Sequence, residues 1–244
     1  GFIVYSFGIK VAFLLDTMMF IIGFILLLSL KIDVDVIKAK EKLLQMMGDT
    51  FVYIKKNPHA LHLMLLHAFV GLTAFDALVA LMVDYYYKEI IAASLALGLL
   101  HASRAVGLVF GPMFLERLTN NSGMVYIFIF QGFALWLWAY MMDDFYLSLA
   151  ASFVVGLFTT TLWSYTYTLL QKNIDEKYYG RIVAYNDMLF LSSAAITSYM
   201  TGYLVEQGIT LEGVALVMGV GFILGGFYFK WVIKTKNIKE IKEG

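Results

Sequence analysis

Two adjacent apolar runs, residues 61–83 and 90–115, constrain the fold more than any other feature of the chain. The first run contains Asp76 and the second contains Arg104. A helix needs about 20 consecutive apolar residues to cross the hydrocarbon core of a bilayer, and both runs reach that length. A charge inside such a span is costly, so it typically faces the interior of a helix bundle and marks a pathway or an ion pair.

The composition extends this interpretation to the whole chain. Of the 244 residues, 61% are hydrophobic and 15% are charged, whereas a soluble domain is about half apolar and about a quarter charged. The apolar runs are too long and too continuous for barrel strands, so we expect an all-α integral membrane protein. A net charge of zero gives no indication of nucleic-acid binding, and the absence of cysteine excludes disulfides, a thiol nucleophile and a thiolate metal site.

The apolar runs predict seven transmembrane helices, at residues 11–30, 61–83, 90–115, 124–142, 145–170, 182–204 and 211–232. Residues 31–60 form the one long polar segment. Five apolar residues recur within it at helical spacing and predict an amphipathic helix at the membrane surface. These residues are Val36, Leu43, Leu44, Met47 and Phe51.

Lysine and arginine in the loops predict the orientation. Loops rich and poor in these residues alternate along the chain, and the rich ones include residues 31–60 and the C-terminal tail, 233–244. Positive loops stay on the cytoplasmic side, so we expect a multi-pass protein of the cell (inner) membrane with a cytoplasmic C-terminus and Gly1 near the outer face. Because the chain opens on Gly1 rather than Met, we expect a fragment or a processed chain.

Three stretches carry a family pattern: GFIVYSFGIKVAFLLDTMMFIIGFILLL, FVYIKKNPHALHLMLL and LLQKNIDEKYYGRIVAYNDML. The matching positions are Gly1, Gly8, Ala12, Phe13, Asp16 and Phe20 in the first, Lys55, Lys56, Asn57 and Pro58 in the second, and Leu170, Gln171, Asp175, Glu176, Gly180 and Arg181 in the third. With the seven-span layout, these stretches resemble spans six to twelve of the major facilitator superfamily, in the branch of enterobactin exporters and macrolide efflux proteins.

The resemblance implies a division of the chain. Residues 1–30 would be the end of span five and span six, 31–60 the cytoplasmic loop between the two halves, 61–232 the C-terminal six-helix bundle, and 233–244 a cytoplasmic tail. It also implies that spans one to five belong to a missing N-terminal half of the same polypeptide.

The loop after residue 110 departs from the family motif. Glu116 and Arg117 come one residue late with no basic cluster behind them, so we expect only a weak gating element there.

Asp76, His101 and Arg104 are candidates for the substrate and proton pathway. Asp76 and Arg104 could couple protons and substrate, or could form a structural ion pair that locks two spans together. At 1.5 Å per residue their depths differ by roughly 10 Å, so direct pairing does not follow from the sequence. His101 lies on the same helical face as Arg104 and could relay protons, although a hydrogen-bonded core histidine explains it as well.

A polar and aromatic stripe in residues 145–171 consists of Thr160, Trp163, Tyr167 and Gln171. The resemblance implies that spans seven, eight, ten and eleven line a cavity while spans nine and twelve face outward. Aromatic side chains with polar tips suit a large amphipathic substrate, so we expect this stripe in the cavity. The alternative is that the rings sit at the membrane interface.

Further residues are candidates for gating or structure. Asn186 and Asp187 could gate with Arg181 after Gly180, or could lie at a solvated helix end. For Asp16 we expect a structural hydrogen bond. Three histidines, His59, His62 and His67, flank the predicted cytoplasmic mouth of the 61–83 span, but no set of metal ligands accompanies them. Small residues at four-residue spacing are expected to let helices approach closely. They are Ala194, Ser198 and Gly202; Gly107 and Gly111; and Gly221 and Gly225.

These observations favour a secondary active transporter without enzymatic activity. The expected process is proton-coupled efflux of a small amphipathic molecule, such as a drug or siderophore, by alternating access. The chain has no nucleotide-binding loop or cofactor motif, so we expect the proton gradient to supply the energy. Its partners would be the bilayer, the substrate and the N-terminal half. A non-transporting scaffold or receptor, or an importer of the same superfamily, remains an alternative.

Overall fold

The computed structural model describes residues 1–30, 43–236 and 238. Its ten α-helices, with no strand among these residues, are α1 Phe2–Phe7, α2 Ile9–Ser29, α3 Leu43–Lys56, α4 Pro58–Val70, α5 Asp76–Met82, α6 Ala93–Leu115, α7 Asn121–Met141, α8 Phe145–Lys172, α9 Tyr179–Glu206 and α10 Leu211–Lys236. Short 3₁₀ turns and a π-helical turn, Val83–Tyr87, connect some of them.

Seven helical stretches among the described residues are long and apolar enough to cross a membrane. They are Ile9–Ser29, Pro58–Tyr87, Ala93–Leu118, Asn121–Met141, Phe145–Lys172, Glu176–Glu206 and Leu211–Lys236. The predicted number of spans and their places in the sequence are therefore confirmed. The protein is a multi-pass, all-α membrane protein.

Close packing in the bundle depends on glycine. A Cβ at Gly107 would overlap the carbonyl oxygen of Phe153, and one at Gly111 would overlap that of Leu157, so α6 and α8 touch backbone to backbone. Gly132 of α7 and Gly219 of α10 make a similar contact. Gly107 and Gly111 thus permit the close approach that the sequence predicts, whereas the contact of Gly132 with Gly219 was not predicted. Gly202 is an exception, since its missing side chain faces open space.

Helix α2 stands apart from the bundle, and none of its residues is buried. Asp16 lies on its exposed surface and makes no hydrogen bond or ion pair with the other described residues. The structural hydrogen bond expected for Asp16 is therefore absent from this arrangement. A helix that is apolar all round requires lipid or further protein around it.

The amphipathic helix predicted in residues 31–60 is described from Leu43 onward as α3. Val36 lies outside the described residues, and so do the side chains of Leu43 and Leu44. Thr50 and Ile54 are buried against the bundle, whereas Met47 and Phe51, on the predicted apolar face, are exposed. Helix α3 thus packs through one face and leaves an apolar face uncovered.

One span is interrupted. Helix α4 ends at Val70, a 3₁₀ turn follows at Gly71–Thr73, and α5 begins at Asp76. A Cβ at Gly71 would meet the Ser193 side chain, so this glycine lets the turn lie directly against α9. The interruption was not predicted from the sequence, and it positions the candidate site.

Candidate functional site

A central cavity of about 410 Å³ lies beside the interruption. Ten residues line it: Thr73, Ala74, Asp76, Arg104, Leu108, Thr159, Thr160, Trp163, Phe190 and Ala194. They come from the α4–α5 span, α6, α8 and α9, the four spans that the family resemblance assigns to a cavity. None comes from α7 or α10. Four of the predicted pathway residues, Asp76, Arg104, Thr160 and Trp163, are thereby brought together.

Asp76 presents its carboxylate to the open side of this cavity. Its side chain is 78% exposed, and one carboxylate oxygen lies 3.7 Å from Nε2 of His101. His101 is half-buried and reaches Asp76 from α6. At 3.7 Å the two groups are close enough to interact electrostatically but lie beyond hydrogen-bond distance. Burial beside a single partner also suits a core histidine, so both interpretations of His101, proton relay and core histidine, stay predictions.

Arg104 contacts the interrupted segment between α4 and α5 rather than Asp76. Its Nη2 donates a hydrogen bond of 3.2 Å to the carbonyl oxygen of Thr73, and its guanidinium carbon lies 5.0 Å from the centre of the Phe75 ring. The Thr73 carbonyl oxygen also accepts from the backbone N–H of Phe75 at 2.8 Å, so Arg104 is the second donor to this oxygen and links α6 to the turn. Among the described residues Arg104 has no carboxylate within 4.0 Å, so the direct ion pair with Asp76 is not formed.

Aromatic rings close the other side of the cavity. Trp163 of α8 and Phe190 of α9 meet edge to face, with centroids 4.5 Å apart. His67 lies behind them at 4.9 Å from the Trp163 ring and 5.3 Å from the Tyr167 ring. Such edge-to-face contacts hold rings in fixed positions. The result is a rigid apolar wall with a histidine inside it.

His67 is completely buried, contrary to the sequence-based placement of its group at the mouth of the span. Its Nδ1 lies 2.9 Å from Oγ1 of Thr166, which itself donates to the carbonyl oxygen of Leu162. Thr166 Oγ1 also reaches the carbonyl oxygen of Trp163, and the direction of its bond with Nδ1 depends on the tautomer of His67. Nε2 of His67 has no hydrogen-bond partner among the described residues.

A second cavity, the side cavity, lies on the far side of the aromatic wall. It measures about 350 Å³ and is lined by Trp163, Tyr167, Asp187, Phe190 and Leu191. Trp163 and Phe190 belong to both cavities, so these two rings separate a compartment containing Asp76 from one containing Asp187. Tyr167 lines only the side cavity, and Gln171 is exposed and lines neither. The predicted stripe is thus divided between two cavities.

The gate predicted near Arg181 is not formed. Arg181 donates to the carbonyl oxygens of Met46 and Lys177, both at 3.1 Å, and thereby ties α9 to α3. Asn186 is completely buried, which rules out a solvated helix end, and neither of its amide atoms has a hydrogen-bond partner among the described residues. Gly180 faces open space.

The loop after α6 contributes little to the site. Glu116 and Arg117 form an exposed 3₁₀ turn, and neither makes an ion pair within the described part of the chain. Asn120, just after the turn, caps α7 by accepting hydrogen bonds from the backbone N–H groups of Ser122 and Gly123. The turn therefore connects two helices, and no gating contact is made there.

Sequence reasoning missed several residues of the site: Thr73, Phe75, Phe190 and His67 in its buried position. A glycine inside an apolar run was the available signal, since Gly71 weakens the helix at that point. No protein-family model and no curated protein matches the chain. The function is therefore inferred from the residues and the geometry of the two cavities.

Proposed function

We propose that the protein is a secondary active transporter that exports a small amphipathic molecule in exchange for protons. It would correspond to the C-terminal half of a major facilitator, acting together with an N-terminal half. The observation that carries this proposal is the central cavity, where an interrupted span places Asp76 next to His101. Transporters of this kind build their binding sites from discontinuous helices near the middle of the membrane.

The cavity offers the parts that such a cycle needs. Asp76 and His101 can gain and lose a proton on the exposed side of the cavity. Arg104 holds the interruption through the Thr73 carbonyl, so a substrate that competes for the guanidinium would disturb the broken span. Trp163 and Phe190 provide an apolar surface for the body of the substrate and separate the two cavities. Their displacement would join the cavities.

The test is an accumulation assay in cells that lack their own major exporters. The natural reading frame is expressed, and uptake of a panel of fluorescent amphipathic dyes is followed with and without a protonophore. Lower accumulation of at least one dye, restored by the protonophore, is the expected result. If every dye accumulates equally in expressing and control cells, export of this class of molecule is rejected. A scaffold or receptor would give that result and would tolerate neutral residues at positions 76 and 104.

A further inference from the structure

A basic groove lies between α7 and α10, away from both cavities. It measures about 400 Å³ and is lined by Asn121, Ser122, Val125, Tyr126, Ile129, Phe227, Lys230, Ile233 and Lys234. The two lysines are one turn apart on α10 and face the first turns of α7. Both are exposed, and neither has a carboxylate within 4.0 Å among the residues that the structure describes.

The lining of this groove is mixed: Val125, Ile129, Phe227 and Ile233 are apolar, while Asn121 and Ser122 add polar atoms to those of the lysines. A Cβ at Gly226 would lie 3.1 Å from the carbonyl oxygen of Val125, so the two helices meet closely beneath the groove. Tyr126 of α7 and Phe227 of α10 line the groove, with 56% and 57% of their surfaces exposed. An exposed groove with apolar side chains and two lysines that form no ion pair with the described residues offers surface for an acyl chain and for an anionic group.

The position along the helix matches the level of lipid headgroups. Helix α10 has 26 residues and extends about 39 Å at 1.5 Å per residue, while the hydrocarbon core is about 30 Å thick. The helix is therefore longer than the core is thick, and placing the excess length at its C-terminal end puts Lys230 and Lys234 near the headgroups. Trp231 is 47% exposed on the same turns and marks the interface in the way tryptophan commonly does.

The opposite end of the same helix pair has the opposite charge. There a cavity of about 480 Å³ is lined by Trp136, Tyr140, Asp143 and Glu212, among others. An anion would be repelled at this end and attracted at the lysine end. The α7–α10 pair is thus acidic at one end and basic at the other, with apolar surface between them.

We propose that the basic groove binds one anionic phospholipid. Its phosphate would lie between Lys230 and Lys234, and an acyl chain would follow Val125, Ile129 and Phe227 towards the centre of the membrane. Clusters of basic residues between membrane helices recognise anionic headgroups in this way. This site is independent of the proposed transport function, because it needs only a membrane-embedded α7–α10 pair.

Native mass spectrometry of the full chain, purified in detergent and delipidated, tests the site. Phosphatidylglycerol and phosphatidylcholine with identical acyl chains are titrated separately, and bound lipids are counted by mass. We expect one phosphatidylglycerol to bind at least roughly tenfold more tightly than phosphatidylcholine, since each lysine near an anionic surface contributes about 1 kcal/mol. The double variant Lys230→Gln and Lys234→Gln should lose this preference, and the arginine pair at the same positions should keep it.

The matched control changes two lysines outside the groove, Lys172→Gln and Lys236→Gln, and removes the same total charge. Equal lipid preference in the two double variants would overturn the proposal, because it would show a general charge effect. Inorganic phosphate that binds as tightly as the lipid would overturn it in favour of a soluble anion. A persistent dimer that excludes lipid would assign the groove to a second copy of the chain.

Discussion

Nε2 of His101 lies 3.7 Å from the Asp76 carboxylate across two different spans, at the open side of the central cavity. Charge alone would pair Asp76 with Arg104, but Asp76 lies next to His101 instead. Arg104 instead donates to the Thr73 carbonyl at the interruption of the neighbouring span. Among the described residues Asp76 therefore has His101 as its nearest charged or titratable neighbour, and Arg104 bonds the backbone of the span that carries Asp76.

Asp76→Asn should abolish proton-coupled export, with a loss of at least roughly tenfold in protonophore-sensitive dye efflux. General acid–base groups typically contribute factors of 10² or more where proton transfer is required. Asp84→Asn is the matched control, because Asp84 follows on the same span but is exposed and paired with Lys88 at 3.2 Å. Efflux that survives in the Asp76 variant would remove this carboxylate from the coupling step.

His101→Gln should change the pH dependence of efflux rather than abolish binding. Histidine changes charge between about pH 5 and pH 8, so its removal should flatten the rate profile in that range. The measurement is initial efflux rate in vesicles at a series of external pH values, with dye binding measured in parallel. An unchanged profile would show that Asp76 exchanges protons without His101.

Gly107→Ala should destabilise the bundle by about 1 to 3 kcal/mol, because the added methyl group would overlap the Phe153 carbonyl oxygen across the α6–α8 contact. Gly202→Ala is the control. It faces open space in the last turns of α9, so alanine there should be neutral or stabilise the helix by up to about 1 kcal/mol. Thermal unfolding in detergent compares the two variants. Similar shifts would show that α6 and α8 do not touch at Gly107.

The helices and their order follow from the sequence because apolar length and glycine spacing are local properties. The contacts of Arg104 do not follow from it, since they depend on an interruption at Gly71–Thr73 that has only one glycine as its local signal. His67 is likewise misplaced by sequence, because its burial results from rings on α8 and α9. Spacing and composition do not predict such contacts, because each depends on side chains from three helices.

Thr166→Val should destabilise the protein by about 1 to 3 kcal/mol, because Nδ1 of the buried His67 would lose its hydrogen-bond partner. His67→Phe should cost less. Thr166 would keep its hydrogen bond to the Leu162 carbonyl oxygen, and the new ring would fill the space. The double variant should then resemble His67→Phe alone. Additive losses in thermal unfolding would mean that the two side chains do not depend on each other.

Asn186→Leu should make the protein more stable and less active. Both amide atoms of Asn186 are buried and have no hydrogen-bond partner among the described residues. An unsatisfied buried group costs about 1 to 3 kcal/mol, and leucine of similar volume removes that cost. The Asn186 amide lowers the stability of the fold and lies beside Asp187 and the side cavity. We expect it to serve transport, since activity commonly conflicts with stability at functional sites. Thermal unfolding and dye efflux are measured together, with Met188→Leu, exposed on the same helix, as the control.

A less stable Asn186 variant would show that the amide is hydrogen-bonded in the working protein. A more stable variant with full efflux would show that Asn186 has no part in transport.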